Sequence, residues 1–279
     1  MLRRPVAAIL SAHVFDAERR ELYVEGVRDR AFLYWVLGPT RDINSIVVPI
    51  DAVEVYVDGG GNRERLKQFL IEVEKHPADI RGLIDADNGR MLNEEFPRNA
   101  WVTDLRDAEG YILGRDNIEA ALRLGFGIDR GDIETIVSSL HLAARFLAAV
   151  RIASVHLGLQ LPVSEMRLSR YIKADRNGVV AVDDGGILSA LCQSASISLR
   201  RLGGIQESVE SALQELLTSP AEHVVHGKDC TKILTVQFVG LGAAGSIDVA
   251  PALWSSFNRD KLPDFPELMN VVNYLSAPR

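Results

Sequence analysis

The chain's 279 residues are 47% hydrophobic and 25% charged. That is an ordinary globular composition, with length for one large domain or two modest ones and no need of a disulfide or metal staple to fold. A net charge of −7 counts against a general nucleic-acid-binding surface. Only Cys192 and Cys230 are present, with no CxxC or Cys/His zinc spacing, which points to a reducing compartment.

The start, MLRRPVAAIL, carries two arginines and only a five-residue apolar run, too short for a signal peptide, so a cytoplasmic location is expected. Residues 21–24, ELYV, read as a strand that ends at Glu25-Gly26. RDRAFLYWVLG has helical spacing and closes at Gly38. The β-branched stretch that follows predicts a strand at 53–57, and GGGN at 59–62 predicts a loop. RERLKQFLIEVEKH places Leu66, Phe69, Leu70 and Val73 on one helical face and stops before Pro77. Strands are expected at 80–85 and 99–104, then a helical stretch over 107–124.

This order is that of an α/β fold, a mainly parallel sheet flanked by helices. Beyond it, long helical patterns dominate at 132–158, 186–202 and 204–218, interrupted by the polar KADRNG and a strand candidate in GVVAVDD. Two domains are therefore expected, 1–128 and a mostly helical 129–279. Residues 132–160 are the most apolar segment, but they include His141, Arg145, Arg151 and His156. A buried or interface helix fits better than a membrane span.

In parallel α/β sheets, functional groups gather beyond the carboxyl ends of strands. Glu25 ends the first predicted strand, and Asp85 and Asp87 end the third. Alternation along an extended segment would aim Asp85 and Asp87 the same way. Asp29 falls in the first helical turn after Glu25. Four carboxylates meeting there would repel one another unless cations neutralise them, and hard oxygen ligands suit Mg²⁺ or Mn²⁺. Such a site polarises a phosphodiester and activates water, and Glu25 is alternatively a general acid or base. Arg3–Arg4, Arg19–Arg20 and Arg200–Arg201 are candidate basic strips for phosphates. No GxSxG or P-loop is present, and GGGNRE lacks dinucleotide-binding spacing.

LYVEGVRDRAFLYWVL, IRGLIDADNG and WVTDLRDAEGYIL resemble the Toprim domain of overcoming-lysogenisation-defect (OLD) type nucleases, primases and topoisomerases. The Glu-Gly of that family is matched by Glu25-Gly26 and its Asp-x-Asp by Asp85 and Asp87. Asp29 is more similar to the nuclease branch. TDLRDAEGYIL and the late HGKDCTKIL resemble a Toprim subfamily of anti-phage defence loci. The Toprim resemblance covers about residues 25–125. It implies a metal-dependent endonuclease with Mg²⁺ (or Mn²⁺) on Glu25, Asp29, Asp85, Asp87 and Glu109, the last in or behind the metal shell. It implies Glu25 and Lys228 as catalytic residues, Lys228 stabilising phosphate charge. It also implies an ABC-type ATPase partner that restrains the nuclease until a phage trigger, RNA such as tRNA as target, and a homodimer when active. Val27 departs from the pattern, since a polar residue is frequent there. A DNA-cutting OLD-like nuclease, a non-catalytic metal-binding regulatory subunit and a small-substrate phosphotransfer enzyme are the alternatives.

Overall fold

The computed structural model describes residues 3–16, 18–38, 45–59, 61–87, 89, 94–245 and 247–276. Its first unit is organised by the strand RELYV, in which all five residues are buried. A strand buried on both faces belongs in the interior of a parallel α/β sheet. The elements before and after it are β1 (Arg4–Pro5), α1 (Val6–Phe15), β2 (Arg20–Val24), α2 (Val27–Leu37), β3 (Ser45–Pro49), β4 (Val53–Glu54), α3 (Asn62–Val73), β5 (Ile80–Ile84) and β6 (Ala100–Val102). The sheet is four-stranded in the order β3-β2-β5-β6, and every pair in it is parallel. The α/β class with a parallel sheet is thus as the sequence indicates.

Register explains the core. Tyr23 stands opposite Val48 on β3 and Gly82 on β5. On that face it packs with Ile9 of α1 and with Leu66, Phe69, Leu70 and Val73 of α3. The Tyr23 and Phe69 rings lie 4.4 Å apart. Gly82 is required by this approach: a Cβ there would come 2.4 Å from Leu70 Cδ1. The helical face Leu66-Phe69-Leu70-Val73 is buried as its spacing predicts.

The predicted strand at 53–57 is a correction. The second sheet strand is Ser45–Pro49, and the 53–57 stretch contributes only the two-residue β4, paired with β1. Val53 and Val55 do point into the core, which is the alternation the sequence displays. Their carbonyls, however, are taken by Arg65 at 3.0 and 3.3 Å, so a side chain replaces the neighbouring strand. The helix expected at 107–124 is also broken, into a 3₁₀ turn over Ala108–Ile112, α4 (Arg115–Ala120) and a π turn over Ala121–Gly125.

The chain divides into two units, Met1–Ala108 with Phe257–Arg279, and Glu109–Ser256. The expected division at 128/129 therefore differs from this one at its start, and the last 23 residues, 257–279, return to the first unit. In the second unit, α5 (Ile133–His156) is the long apolar helix. It is capped by Asp132, which accepts from Thr135 N–H at 2.8 Å. It passes a membrane-span test by length and composition, yet Ile136, Leu140, Leu147 and Val150 are buried among protein. Around it stand the hairpin β7 (Ile172–Ala174) and β8 (Val180–Val182), then α6 (Asp184–Ser194), α7 (Leu202–Leu216), α8 (Ala221–Val224), α9 (Gly227–Gly240) and α10 (Ala250–Ser255). The helix expected over 186–202 stops at Ser194, where Ser196 turns left-handed (φ 56°). KADRNG is the hairpin turn: Asp175 Oδ1 accepts from Asn177 and Val179 N–H, each at 2.8 Å. Gln237 of α9 ties that turn to α5, donating to the Gly178 carbonyl at 2.8 Å and the Ile136 carbonyl at 3.0 Å.

The returning segment ends in α11 (Pro266–Ser276), which closes the sheet face opposite α1 and α3. Asp104, just past β6, accepts from the first free amides of α11, Glu267 and Leu268, at 3.0 Å each. Tyr274 donates to the Asp79 carbonyl at 2.7 Å, and its ring lies 5.3 Å from Trp101.

Two of the three arginine pairs read as phosphate strips serve this unit instead. Glu21 is fully buried in β2, and its Oε1 accepts from Arg4 at 2.9 Å and Arg19 at 2.6 Å. Oε2 accepts from the Tyr23 hydroxyl, and His13 Nε2 stands 3.5 Å away. Arg20 is buried and donates to the Tyr274 carbonyl at 2.8 Å. Burial alone would raise the Glu21 carboxyl, but the nearby His13 imidazole and hydrogen bonds from Arg4, Tyr23 and Arg19 outweigh it and hold Glu21 well below the usual carboxylate range.

Two stability predictions follow from these contacts. Asp104→Ala should cost about 1 kcal/mol in urea unfolding and raise amide exchange in α11; unchanged α11 protection would show that the cap is idle. A carboxylate held low stabilises above its unfolded value, about 4.3, and loses that contribution as pH falls through the folded one. Glu21→Gln should therefore cost roughly 3–5 kcal/mol at neutral pH and flatten the acid limb of the stability profile; an acid limb like the parent's would refute the ion network.

Candidate active site

Strand β2 delivers Glu25 one residue past its end, and β5 does the same for Asp85. Because the two strands are neighbours and parallel, these ends meet. The Asp85 N–H donates to Glu25 Oε1 at 3.1 Å, across 60 residues of sequence. Oε2 of Glu25 has no hydrogen bond among the described residues.

Asp85 is fixed from two sides. Its Oδ1 accepts the Ala108 N–H at 3.0 Å, and its carbonyl accepts Arg63 Nε at 3.3 Å. Asp87 is not brought alongside by strand alternation. β5 stops at Ile84, and Asp87 adopts the left-handed region at φ 46°, which aspartate tolerates better than most residues. Its N–H donates to the Arg106 carbonyl at 2.7 Å, and Gly89 N–H to that of Ala86, also at 2.7 Å. A turn, rather than an extended segment, aims Asp87. Thr103, fully buried past β6, anchors this turn by accepting from Ala86 N–H at 2.9 Å and donating to the Leu105 carbonyl at 2.8 Å.

Asp29 lies in the first turn of α2, as expected. Its Oδ2 accepts the Gly26 N–H at 2.8 Å and so caps the helix. Glu25 is thereby held between a capped helix start and the end of β5. Burial raises the Glu25 carboxyl, and the charges of Asp87 and Asp29 add to that rise; the Asp85 amide and Arg63 oppose it without cancelling it.

Arg63, absent from the residues singled out by sequence, stands at the centre of this charge field. From the first turn of α3 its Nε lies 3.4 Å from Asp87 Oδ2, and its Nη2 bonds Glu94 at 2.6 Å. Lys67 also bonds Glu94. Hydrogen bonding from Arg63 drops the Glu94 carboxyl to about 2. The guanidinium sits 5.6 Å from the Phe96 ring. Asn62 donates to the Glu25 carbonyl at 2.8 Å. One signal for Arg63 was available: a cation in the first turn of a helix opposes the macrodipole and needs a local reason.

Glu109 and Lys228 belong to the second unit. Glu109 directly follows Ala108, is 7% exposed, and has both carboxylate oxygens buried with no hydrogen-bond partner among the described residues. Lys228 is exposed in the first turn of α9, its N–H donating to His226 Nδ1 at 3.2 Å. The rest of HGKD has fold roles. His226 caps α9, Gly227 is buried, and Asp229 is buried against Arg151 of α5, with a second contact at 3.2 Å. Cys192 and Cys230 are free and buried.

Among the described residues no three His, Cys, Asp or Glu side chains converge tightly enough to hold a metal ion as they stand. In kind, the first unit's donors suit a hard divalent cation: they are carboxylate oxygens, and Glu25 is destabilised as an anion by burial and by its acidic neighbours. No protein-family model and no curated protein matches the chain.

Proposed function

We propose that this chain is a Mg²⁺-dependent Toprim-type endonuclease of the OLD-like branch. The observation that carries the reading is the hydrogen bond from Asp85 N–H to Glu25 Oε1, which joins the two acidic strand ends into one site. Glu25, Asp29, Asp85 and Asp87 would hold the cation, with Mn²⁺ as a substitute. When bound, that cation supplies Lewis acidity and a water activated for attack on phosphorus.

The chain's own part is positioning and proton transfer. Asp85 N–H orients the Glu25 carboxyl and leaves Oε2 to exchange a proton with water or the leaving oxygen. Arg63, at Asp87, supplies positive charge for a phosphate. The chain resembles AriB, the nuclease effector of the PARIS anti-phage defence system. On that resemblance we propose a cytoplasmic effector that an AriA-like ABC-type ATPase restrains, that acts as a homodimer, and that cuts RNA such as tRNA. A DNA-cutting OLD-like activity and a non-catalytic regulatory role are the competing readings.

Glu25→Ala or Asp85→Ala should lower Mg²⁺-dependent cleavage of nucleic acid by about 100-fold or more and remove toxicity in cells, with an unchanged circular dichroism spectrum. Folded variants that cut like the parent would end the assignment. A Glu25→Gln chain that assembles with the ATPase and still defends cells would favour the regulatory role instead.

A further inference from the structure

The second unit carries a cleft of about 290 Å³ that the acidic site does not use. Met166 and Leu191 give it an apolar lining, Tyr171 contributes a half-buried ring, and Arg167 and Arg170 line it with exposed side chains. Neither guanidinium has a hydrogen bond or ion pair with any described residue. Arg123, Arg130 and Arg145 are tied to backbone carbonyls, and Arg151 is tied to Asp229. The fold therefore has no use for the two guanidinium groups at the cleft.

In the sequence, exposed Lys173 of β7 and Arg176 of the hairpin turn follow Arg170 at three-residue intervals. Of the acids in this stretch, Asp175 spends its Oδ1 on the turn amides, which leaves Glu165 as the opposing charge lining the cleft. An aromatic ring and apolar floor take a base, and guanidinium groups take phosphate. The volume is at the lower end of small-ligand sites.

We infer that this cleft holds one nucleotide of a single-stranded nucleic-acid segment, its base on Tyr171 and its phosphates on Arg167 and Arg170. The inference rests on the nuclease reading for its choice of a nucleic-acid strand, and it assigns substrate binding to the second unit.

The test is anisotropy of a fluorescein-labelled single-stranded RNA with the full chain in EDTA, where cutting is off and binding is read alone. Arg167→Ala/Arg170→Ala should weaken binding about 10-fold or more and reduce the salt slope by roughly 0.7 per lost phosphate contact. Arg167→Lys/Arg170→Lys should retain most of the slope. Tyr171→Leu, which keeps the apolar bulk and loses the ring, should weaken binding about 10-fold while keeping the slope. Parent-like affinity and slope in the double alanine variant and in Tyr171→Leu would overturn the proposal. So would a free mononucleotide that competes as well as the strand. If the variants lose binding although the parent cuts nothing with Mg²⁺, the cleft stands and the nuclease reading falls. If the parent cuts and the variants bind normally, the cleft alone falls.

Discussion

One hydrogen bond, from the Asp85 amide to the Glu25 carboxylate, depends on everything around it being in order. It exists only because β2 and β5 are parallel neighbours in register, so that both run out at the same edge. Gly82 on β5 in turn lets α3 approach the sheet closely enough for Leu70 to pack there. The same approach brings the start of α3, with Asn62 and Arg63, to the acidic edge. Packing at the middle of the sheet and chemistry at its edge are thus one constraint.

The electrostatics of the edge follow from that convergence. Carboxylates from two strand ends and a helix start share a partly buried space, and Glu25 is raised by burial and by its acidic neighbours. Arg63 offsets part of the repulsion while being divided between Asp87 and Glu94. At the other end of β2, Glu21 is fully buried but ringed by cationic and hydroxyl donors, and is held low. Two glutamates four residues apart on one chain therefore have opposite proton affinities, set by neighbours rather than by residue type.

Glu25, Asp85 and the parallel class were legible because apolar strands run straight into acids, and that pattern is local. Asp29 was legible for the same reason, two turns of logic after Glu-Gly. Arg63 and Thr103 were not, since each matters only through the strand order that brings its segment to β5. Arg4, Arg19 and Arg20 were read as candidate phosphate strips, because a charged residue in sequence gives no sign of a buried partner such as Glu21. The β-branched 53–57 stretch imitates a strand because Val53 and Val55 do alternate inward, while Arg65 satisfies the carbonyls a neighbour would take. The return of α11 to the first unit was invisible, as its cap, Asp104, lies 163 and 164 residues away in sequence.

The central claim is that the paired strand ends form a cation site. Titration of Mn²⁺ followed by electron paramagnetic resonance, with Mg²⁺ as competitor, tests it without requiring any substrate. The account predicts saturable binding to the parent and a loss of affinity of about 10- to 100-fold in Asp85→Asn and in Glu25→Gln. Equal Mn²⁺ affinity in the parent and both folded variants would contradict it.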